Sequence, residues 1–245
     1  MHIRPLLVLT IVLLAAAASA MGQSYPRWFL YQGEIPGTRF GAGYVRPSMY
    51  RDSSTSYAFR SGCISYAMYK GMSISGSEAF WSTEGGNAWM GSDIQISFDT
   101  SMVEYAVSRF GVLDAYHDKV KTIVLAGDSA IELPEQMKEI VPVSSIPQPD
   151  WVESLPAQRG MAYAVGEAEE YFYETSSWEL AEKNARLSLG KQNNTTVIGL
   201  SKMDETEGQD VRHDTFSTEL RDVRVVARWR DMKKRIMYVL LAMPR

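Results

Sequence analysis

The protein has 245 residues, of which 45% are hydrophobic and 22% are charged, and its formal net charge is -4. It contains 18 glycines, 10 prolines and one cysteine, and this composition excludes collagen-like, disulfide-stapled and wholly disordered chains. The mild acidity provides no overall basic surface of the kind that nucleic-acid binding requires.

The first 20 residues are predicted to be a signal peptide. A short basic start is followed by an apolar stretch from Leu6 to Ala18 and by a small-residue cleavage pattern that ends at Ala20. The apolar stretch is shorter than the roughly 20 residues that a membrane-spanning helix needs. Cys63, the only cysteine, does not follow this segment, so we expect no lipid anchor and no internal disulfide. The mature chain is expected in the periplasm or secreted, and at most peripheral to the outer membrane.

An internal repeat at an offset of 123 residues organises the rest of the chain. Residues 26–76 align without a gap on residues 149–199. The identical pairs are Pro26/Pro149, Trp28/Trp151, Gly37/Gly160, Gly43/Gly166, Tyr50/Tyr173, Ser53/Ser176, Ser54/Ser177, Ala58/Ala181, Ser65/Ser188 and Gly76/Gly199. The repeat predicts two related domains, 25–128 and 148–245, joined by a proline-containing linker over 129–147.

Each copy predicts the same order of elements. Strands are expected over 39–44 and 161–165, helices after the paired serines, further strands over 73–80 and 195–200, and hairpins over 109–126 and 223–242. One helix packed on an antiparallel sheet of three to four strands, twice, is an α+β fold. The predicted structural residues are Trp28, Gly43, Trp151, Gly166, Trp178 and Trp229.

The second copy contains several distinctive motifs. They are PDW at 149–151, YAVG at 163–166, SSWELAEKNARLSL at 176–189, TVIGL at 196–200, VRVVARW at 223–229 and MYVLLA at 237–242. In these motifs the chain resembles the LPP-twenty-type lipoprotein family, whose domain is similar to the N-terminal domain of flagellar-assembly protein T. The resemblance covers about 149–242 and implies a small helix-on-sheet domain in the bacterial envelope, commonly at the outer membrane. It implies no catalytic residues, and the chain lacks the lipidated cysteine that family members often have.

A serine esterase is an alternative function. Gly127-Asp128-Ser129 follows a predicted strand, and Asp210 and His213 form a later Asp-x-x-His pattern. A histidine that accepts the serine proton, oriented by a carboxylate, would make Ser129 a nucleophile. The span is short for an α/β hydrolase, however, and the repeat places Ser129 in the linker and His213 in a loop of the second copy.

Metal and cofactor sites are not expected. The histidines beyond the predicted signal segment, His117 and His213, lie in different copies, and no second cysteine is present. A second alternative function is a periplasmic carrier that holds a small ligand between the two domains.

A Gly- and Trp-rich segment, 80–91, is the first candidate for binding. It is predicted to be a loop and contains Trp81, Trp89 and Met90, which are residue types that protein interfaces favour. The alternative is that the loop folds back on its own sheet.

The basic C-terminal segment is the second candidate. Arg221 to Arg245 contains eight basic and two acidic residues. Arg228, Lys233, Lys234 and Arg235 are predicted to attract anionic envelope polymers or lipid headgroups, unless they only form a solvated strand face. The leading hypothesis is thus a non-enzymatic periplasmic protein, structural or involved in assembly, that acts through protein or envelope contacts. A monomer or weak dimer is expected because the second copy can cover the first.

Overall fold

The computed structural model describes residues 23–83, 86–193, 202–203 and 210–245, and describes their side chains outside 78–92 and 193–216. The predicted signal peptide lies outside the described residues. The first half forms β1 (Ser24–Pro26), α1 (Arg27–Leu30), β2 (Phe40–Val45), α2 (Arg51–Lys70), β3 (Met72–Thr83), β4 (Gly86–Phe98), α3 (Thr100–Arg109), β5 (Gly111–His117) and β6 (Thr122–Gly127). The second half forms α4 (Glu135–Lys138), β7 (Ile140–Pro142), β8 (Met161–Glu169), α5 (Glu174–Asn193), β9 (Lys202–Met203), β10 (Asp210–Leu220), β11 (Arg224–Asp231) and β12 (Ile236–Pro244).

Two three-stranded sheets have the same antiparallel order. In the first half the order is β2-β6-β5, and in the second half it is β8-β12-β11, so within each sheet the strand that comes first in the chain pairs with the one that comes last. One long helix packs on each sheet, α2 on β2 and α5 on β8. The predicted α+β fold is confirmed. That each half is a separate domain stays a prediction.

The helix–sheet contact is also the same in both halves. A Cβ atom at Gly43 would lie 2.0 Å from the carbonyl oxygen of Ala58 on α2, and one at Gly166 would lie 2.1 Å from that of Ala181 on α5. Ala58 and Ala181 are themselves a pair of the 123-residue repeat. Glycine is therefore needed at both positions because the helix backbone approaches the strand too closely for any side chain.

A separate four-stranded sheet joins the two halves. β3 and β4 form a long hairpin, and β3 also pairs along its length with β10, giving the order β4-β3-β10-β9. The segment 80–91, predicted to be a loop, instead belongs to β3 up to Thr83 and to β4 from Gly86. His213 likewise lies in a strand, opposite Ala79, and not in a loop. The prediction also missed helix α3, and the strand predicted over 195–200 lies outside the described residues.

The principal core runs through both halves. Phe29 stacks on Tyr25 with ring centroids 5.3 Å apart, and its ring meets the edges of Tyr44 and Trp178 at 5.6 and 5.8 Å. Nε1 of Trp178 donates to the hydroxyl of Tyr25 at 3.0 Å. Two rings of the first half, Tyr25 and Phe29, thus pack against a tryptophan of the second, so the two halves bury one apolar cluster together.

Cys63 lies in a smaller core between α2 and α3 and is fully buried. Burial raises the pKa of its thiol to about 11, so the thiol stays protonated at neutral pH. Cys63 therefore acts as a small apolar residue of this core. No helix in the described part of the chain is long and apolar enough to span a membrane.

Candidate binding surface and the buried charges behind it

Two clusters of buried charged residues lie where the halves meet. In the first, Arg228 on β11 forms an ion pair with Glu182 on α5, although only 2% of Arg228 and 4% of Glu182 is exposed. The Arg228 guanidinium also donates to the carbonyl oxygen of Phe29 at 2.8 Å and to Oε1 of Gln32 at 2.9 Å. Because Phe29 and Gln32 belong to the first half, this arginine links the two halves.

The Glu182 carboxylate has further partners in this first cluster. Nη2 of Arg186, one helical turn later, lies 2.9 Å from its Oε2, and the hydroxyl of Tyr44 donates to its Oε1 at 3.2 Å. Burial alone would raise the pKa of Glu182, but Arg228 and Arg186 outweigh that effect and lower the pKa below its ordinary value. The carboxylate is therefore ionised and both of its oxygens are bonded, as a buried ion pair requires to be stable.

A small cavity lies beside this cluster and is lined by Gln32, Glu182, Arg186 and Arg228. Its volume is about 30 Å³. That space suits a water molecule, whereas pockets for organic ligands have roughly 300–1,000 Å³. This cavity between the halves gives no support to the hypothesis of a small-ligand carrier.

The second cluster surrounds Glu174 at the start of α5. Nζ of Lys121 lies 3.3 Å from its Oε1, Nη1 of Arg230 lies 3.5 Å from its Oε2, and the hydroxyl of Tyr25 donates to the same carboxylate. Nζ of Lys121 also lies 2.9 Å from Oδ2 of Asp118. Residues of the first half, at β1 and the β5–β6 turn, thus meet residues of α5 and β11.

Burial changes the ionisation of this second cluster. It raises the pKa of Glu174 to about 7, although Arg230 acts in the opposite direction. Burial also lowers the pKa of Lys121, which its hydrogen bond to Asp118 opposes. The junction between the halves therefore contains a carboxyl group whose charge changes near neutral pH.

The structure corrects the prediction of a basic surface at Arg228. This residue is buried, and its guanidinium is used by Glu182, Phe29 and Gln32, because the first half covers the face of β11 that the sequence pattern suggested was solvated. Nothing that binds from solution reaches it.

Three other predicted basic residues lie in the β11–β12 turn and are exposed. Nε of Arg235 lies 3.3 Å from Oε2 of Glu170, and Nζ of Lys234 lies 4.0 Å from Oδ2 of Asp231. Lys233 donates its backbone N–H to the same aspartate at 2.8 Å. A carboxylate thus lies beside Arg235 and another beside Lys234, and each offsets part of that side chain's positive charge.

The predicted aromatic binding segment has only its backbone described. Trp81 lies in β3, Trp89 and Met90 lie in β4, and Trp89 is opposite Phe80. Whether these side chains form an interface stays a prediction. The predicted structural tryptophans Trp28, Trp178 and Trp229 are buried, whereas Trp151 is half-buried beside the linker.

The predicted esterase residues are not brought together by any described contact. Ser129 is exposed in the turn after β6, and no described histidine forms a hydrogen bond with it. The neighbouring Asp128 is a turn residue, whose side chain accepts the backbone N–H of Ala130 and pairs with Arg39. The side chains of Asp210 and His213 lie outside the described residues. The described residues also contain no group of histidine, cysteine and carboxylate side chains suited to a metal ion.

Two loops at equivalent positions of the repeat expose large apolar side chains. The β2–α2 loop ends with Met49 and Tyr50, and the β8–α5 loop ends with Phe172 and Tyr173, 123 residues later. Met49 is 92% exposed and Phe172 is 93% exposed, and both tyrosines are exposed as well. Single apolar side chains are ordinary on a protein surface, but clustered ones indicate a place of contact.

A groove of about 490 Å³ lies between α2 and the start of α5, next to both loops. It is lined by Tyr57 and Ile64 of α2, by Thr175 and Glu179 of α5, and by Arg46 of the β2–α2 loop. Tyr57 and Ile64 are seven residues apart and therefore share one face of α2, and Tyr50 directly precedes that helix. The aromatic loop surface, as used below, consists of Met49, Tyr50, Tyr57, Phe172 and Tyr173.

Arg46 connects the two loops. Its guanidinium lies 3.2 Å from the centroid of the Tyr173 ring, a cation–π contact between the halves. Partial desolvation and the charge of Glu182 raise the pKa of the Glu179 carboxyl group, and the charge of Arg46 opposes them. Arg60, also in the groove, is paired with Glu104 at 2.7 Å. The groove thus has mixed charge, with the ring of Tyr57 in its lining and that of Tyr173 against Arg46.

The sequence reasoning missed this surface. The identical pair Tyr50/Tyr173 was visible in the repeat, but a tyrosine beside a predicted helix start is equally typical of a core position. The useful signal was that both copies place an apolar residue directly before that tyrosine, Met49 in one and Phe172 in the other.

Comparisons with known proteins add no relative. No family model, no curated protein and no solved structure matches the chain.

Proposed function

We propose that this protein is a non-enzymatic component of the bacterial cell envelope that binds another protein through the aromatic loop surface. The observation that carries the proposal is the exposure of apolar side chains at equivalent positions of both halves, beside one groove. Apolar side chains that stay exposed to solvent do not stabilise the fold by burial, so their repetition in both halves points to another role. The predicted signal peptide supports placing the protein in the envelope.

The residue types favour a protein partner. Tyrosine, phenylalanine, methionine and arginine are enriched in protein interfaces, and all four occur around this groove. A surface for anionic lipids or polymers would need an excess of free basic side chains. Here Arg46 lies on Tyr173, Arg60 is paired with Glu104, and Glu179 adds an acid, so the net positive charge is small.

The partner fitted by this geometry is an extended or helical segment with apolar side chains. The groove runs beside α2, and the tyrosines along it can contact apolar groups while their hydroxyls bond to a peptide backbone. A role in envelope structure or assembly is consistent with such contacts.

Photocrosslinking in intact cells tests the proposal. p-Benzoylphenylalanine is placed at position 57 or 172, one from each half, and at position 155 as the control. Leu155 is exposed, and the groove it lines involves Ser188 and Gln192, near the other end of α5. Because α5 rises about 1.5 Å per residue, the two ends of the helix lie more than 20 Å apart.

We expect positions 57 and 172 to crosslink to the same protein, and position 155 not to do so. Equal products from all three positions, or none from 57 and 172, would overturn the proposal. Binding of the purified protein to anionic vesicles that Phe172→Ser leaves unchanged, without a protein adduct, would favour an anionic surface as the partner instead.

A further inference from the structure

The outer edge of β4 is open. β4 is the first strand of the β4-β3-β10-β9 sheet, and in the part of the chain that the structure describes it pairs only with β3. Half of its backbone N–H and C=O groups therefore point away from the sheet. An edge strand of this kind accepts another strand unless the protein protects it.

The sequence of β4 offers little protection. Lysine, proline and inward-pointing charges are the usual means of blocking an edge, and GNAWMGSDIQISF contains only one charged residue, Asp93, with no lysine and no proline. The pairing with β3 has one irregularity, near Met90, and it is regular from Gly91 to Phe98. By contrast, the chain at Gly33 covers the edge strand β11, since a Cβ atom there would lie 3.0 Å from Val226.

We propose that β4 pairs with β4 of a second copy of this chain, antiparallel and about a twofold axis through Gln95. An antiparallel pair centred on one residue makes the same contacts twice, which is the geometry of the commonest protein dimers. The two four-stranded sheets would become one continuous sheet.

The regular part of β4 is self-complementary in this register. Gln95 lies opposite its own copy, Ile94 lies opposite Ile96, and Asp93 lies opposite Ser97. No two like charges lie opposite each other in this register. Such a pair would destabilise the contact between the strands. Ile94 and Ile96 pack against the principal core, whereas Asp93, Gln95 and Ser97 are exposed on the other face. The dimer therefore extends an apolar face on one side of the sheet and a polar face on the other.

A single pair of strands buries a small area, so the dimer is expected to be weak. Specific, stable interfaces bury about 1,200–2,000 Å² in total, and weaker encounters bury less. Most of the contact is backbone hydrogen bonding along Gly91 to Phe98, and dimers should therefore form at micromolar or higher concentrations of protein.

Cysteine crosslinking tests the register. Across an antiparallel pair, opposite Cβ atoms lie about 4.5–5.5 Å apart, which a disulfide can bridge after a small adjustment. Gln95→Cys should form a disulfide-linked dimer under mild oxidation. Asp93→Cys and Ser97→Cys should each crosslink poorly alone but well when the two proteins are mixed.

The matched control is Ser75→Cys. Ser75 lies directly opposite Gln95 within the chain, on β3, and is exposed, but it is one strand away from the edge. The unchanged protein is the second control, because its own Cys63 is fully buried. If Gln95→Cys crosslinks no faster than Ser75→Cys, the proposal is wrong.

Sedimentation of the purified protein over a range of concentrations supplies an independent measurement. Gln95→Lys would place two like charges opposite each other across the axis, and we expect it to weaken dimerisation at least tenfold, with little effect from Ser75→Lys. A protein that stays monomeric at 100 µM would contradict the proposal. Growth into larger, open-ended oligomers would also contradict it, since the edge would then join a different strand.

Discussion

The junction between the halves contains buried charged side chains, whereas the aromatic loop surface contains exposed apolar ones. Both are the reverse of the usual distribution in a protein. At the junction, Arg228 and Glu182 are buried and the Glu174 side chain is 13% exposed, whereas Met49 and Phe172 are almost fully exposed at the loops. The charges at the junction bond to one another, and Arg228 also bonds to a backbone carbonyl of the first half, so they help to hold the halves together. Met49 and Phe172 have no such contacts with the other half among the described residues, and this leaves them available for binding.

Loss of Arg228 should have the largest effect on this comparison. We expect Arg228→Ala to lower the free energy of unfolding by about 3–5 kcal/mol, because it leaves the buried Glu182 without its main partner. Urea unfolding measures the change. Lys234→Ala is the control, since the exposed Lys234 should contribute within about 0.5 kcal/mol. A loss below about 1 kcal/mol for Arg228→Ala would show that the junction does not depend on this ion pair.

Glu174 should make the stability depend on pH. Its pKa is about 7 in the folded protein, raised by burial from the ordinary value of 4.5. Between these values the folded state binds more protons than the unfolded state, so the free energy of unfolding falls as the pH rises from 4.5 to 7. The full effect of such a shift is of the order of 3 kcal/mol.

Urea unfolding of Glu174→Gln at pH 5, 6, 7 and 8 measures this effect. Glutamine keeps the shape and the bond to Tyr25 but does not titrate, so the variant should lose the decrease between pH 5 and 7. The charged groups that face Glu174 are Lys121 and Arg230, and both are present in the variant and in the unchanged protein. Equal slopes for the variant and the unchanged protein would contradict the assignment to Glu174.

The two repeat-equivalent glycines should respond alike. Gly43→Ala and Gly166→Ala both force a Cβ atom against helix backbone, and we expect each to cost about 1–3 kcal/mol, as overpacking does. Gly71→Ala is the matched control, because a Cβ atom there meets nothing within 4 Å. Thermal unfolding of the three variants measures the effect. If only one of the two glycines is sensitive, the helix–sheet contacts of the halves are not equivalent in energy.

The parts of the fold that depend on neighbouring residues in the sequence could be predicted, whereas contacts between distant parts of the chain could not. The order of strands and helices and the burial of Trp178 follow from short periodic patterns and from the repeat. The pairing of β3 with β10 could not be predicted, because the pattern within a strand does not identify its partner in another half. Arg228 was predicted to lie on a solvent-facing basic surface because it alternates with apolar residues. In the structure, both faces of β11 are covered after a bulge at Val226.

The candidate surface was less predictable than the fold. A tyrosine next to a predicted helix start is as typical of a core position as of the surface, so Tyr50 and Tyr173 gave no sign of their exposure. Only the packing of α2 and α5 leaves the groove open. The exposure of a side chain is a property of the assembled halves and not of the sequence around it.

Removal of the exposed apolar side chains should have the smallest effect on stability. Met49→Ser and Phe172→Ser are expected to change the free energy of unfolding by no more than about 0.5 kcal/mol each, because both side chains are already in water. Urea unfolding measures this. A loss of 2 kcal/mol or more would mean that these loops support the fold.

The affinity for the protein partner identified by crosslinking tests the central claim most directly. Isothermal titration of that partner into the unchanged protein, Phe172→Ser and Leu155→Ser compares a residue of the aromatic loop surface with an exposed residue elsewhere. We predict that Phe172→Ser weakens binding at least tenfold, equivalent to about 1.4 kcal/mol, and that Leu155→Ser has no measurable effect. Dissociation constants within twofold of each other for all three proteins would contradict the claim that the aromatic loop surface is the binding site.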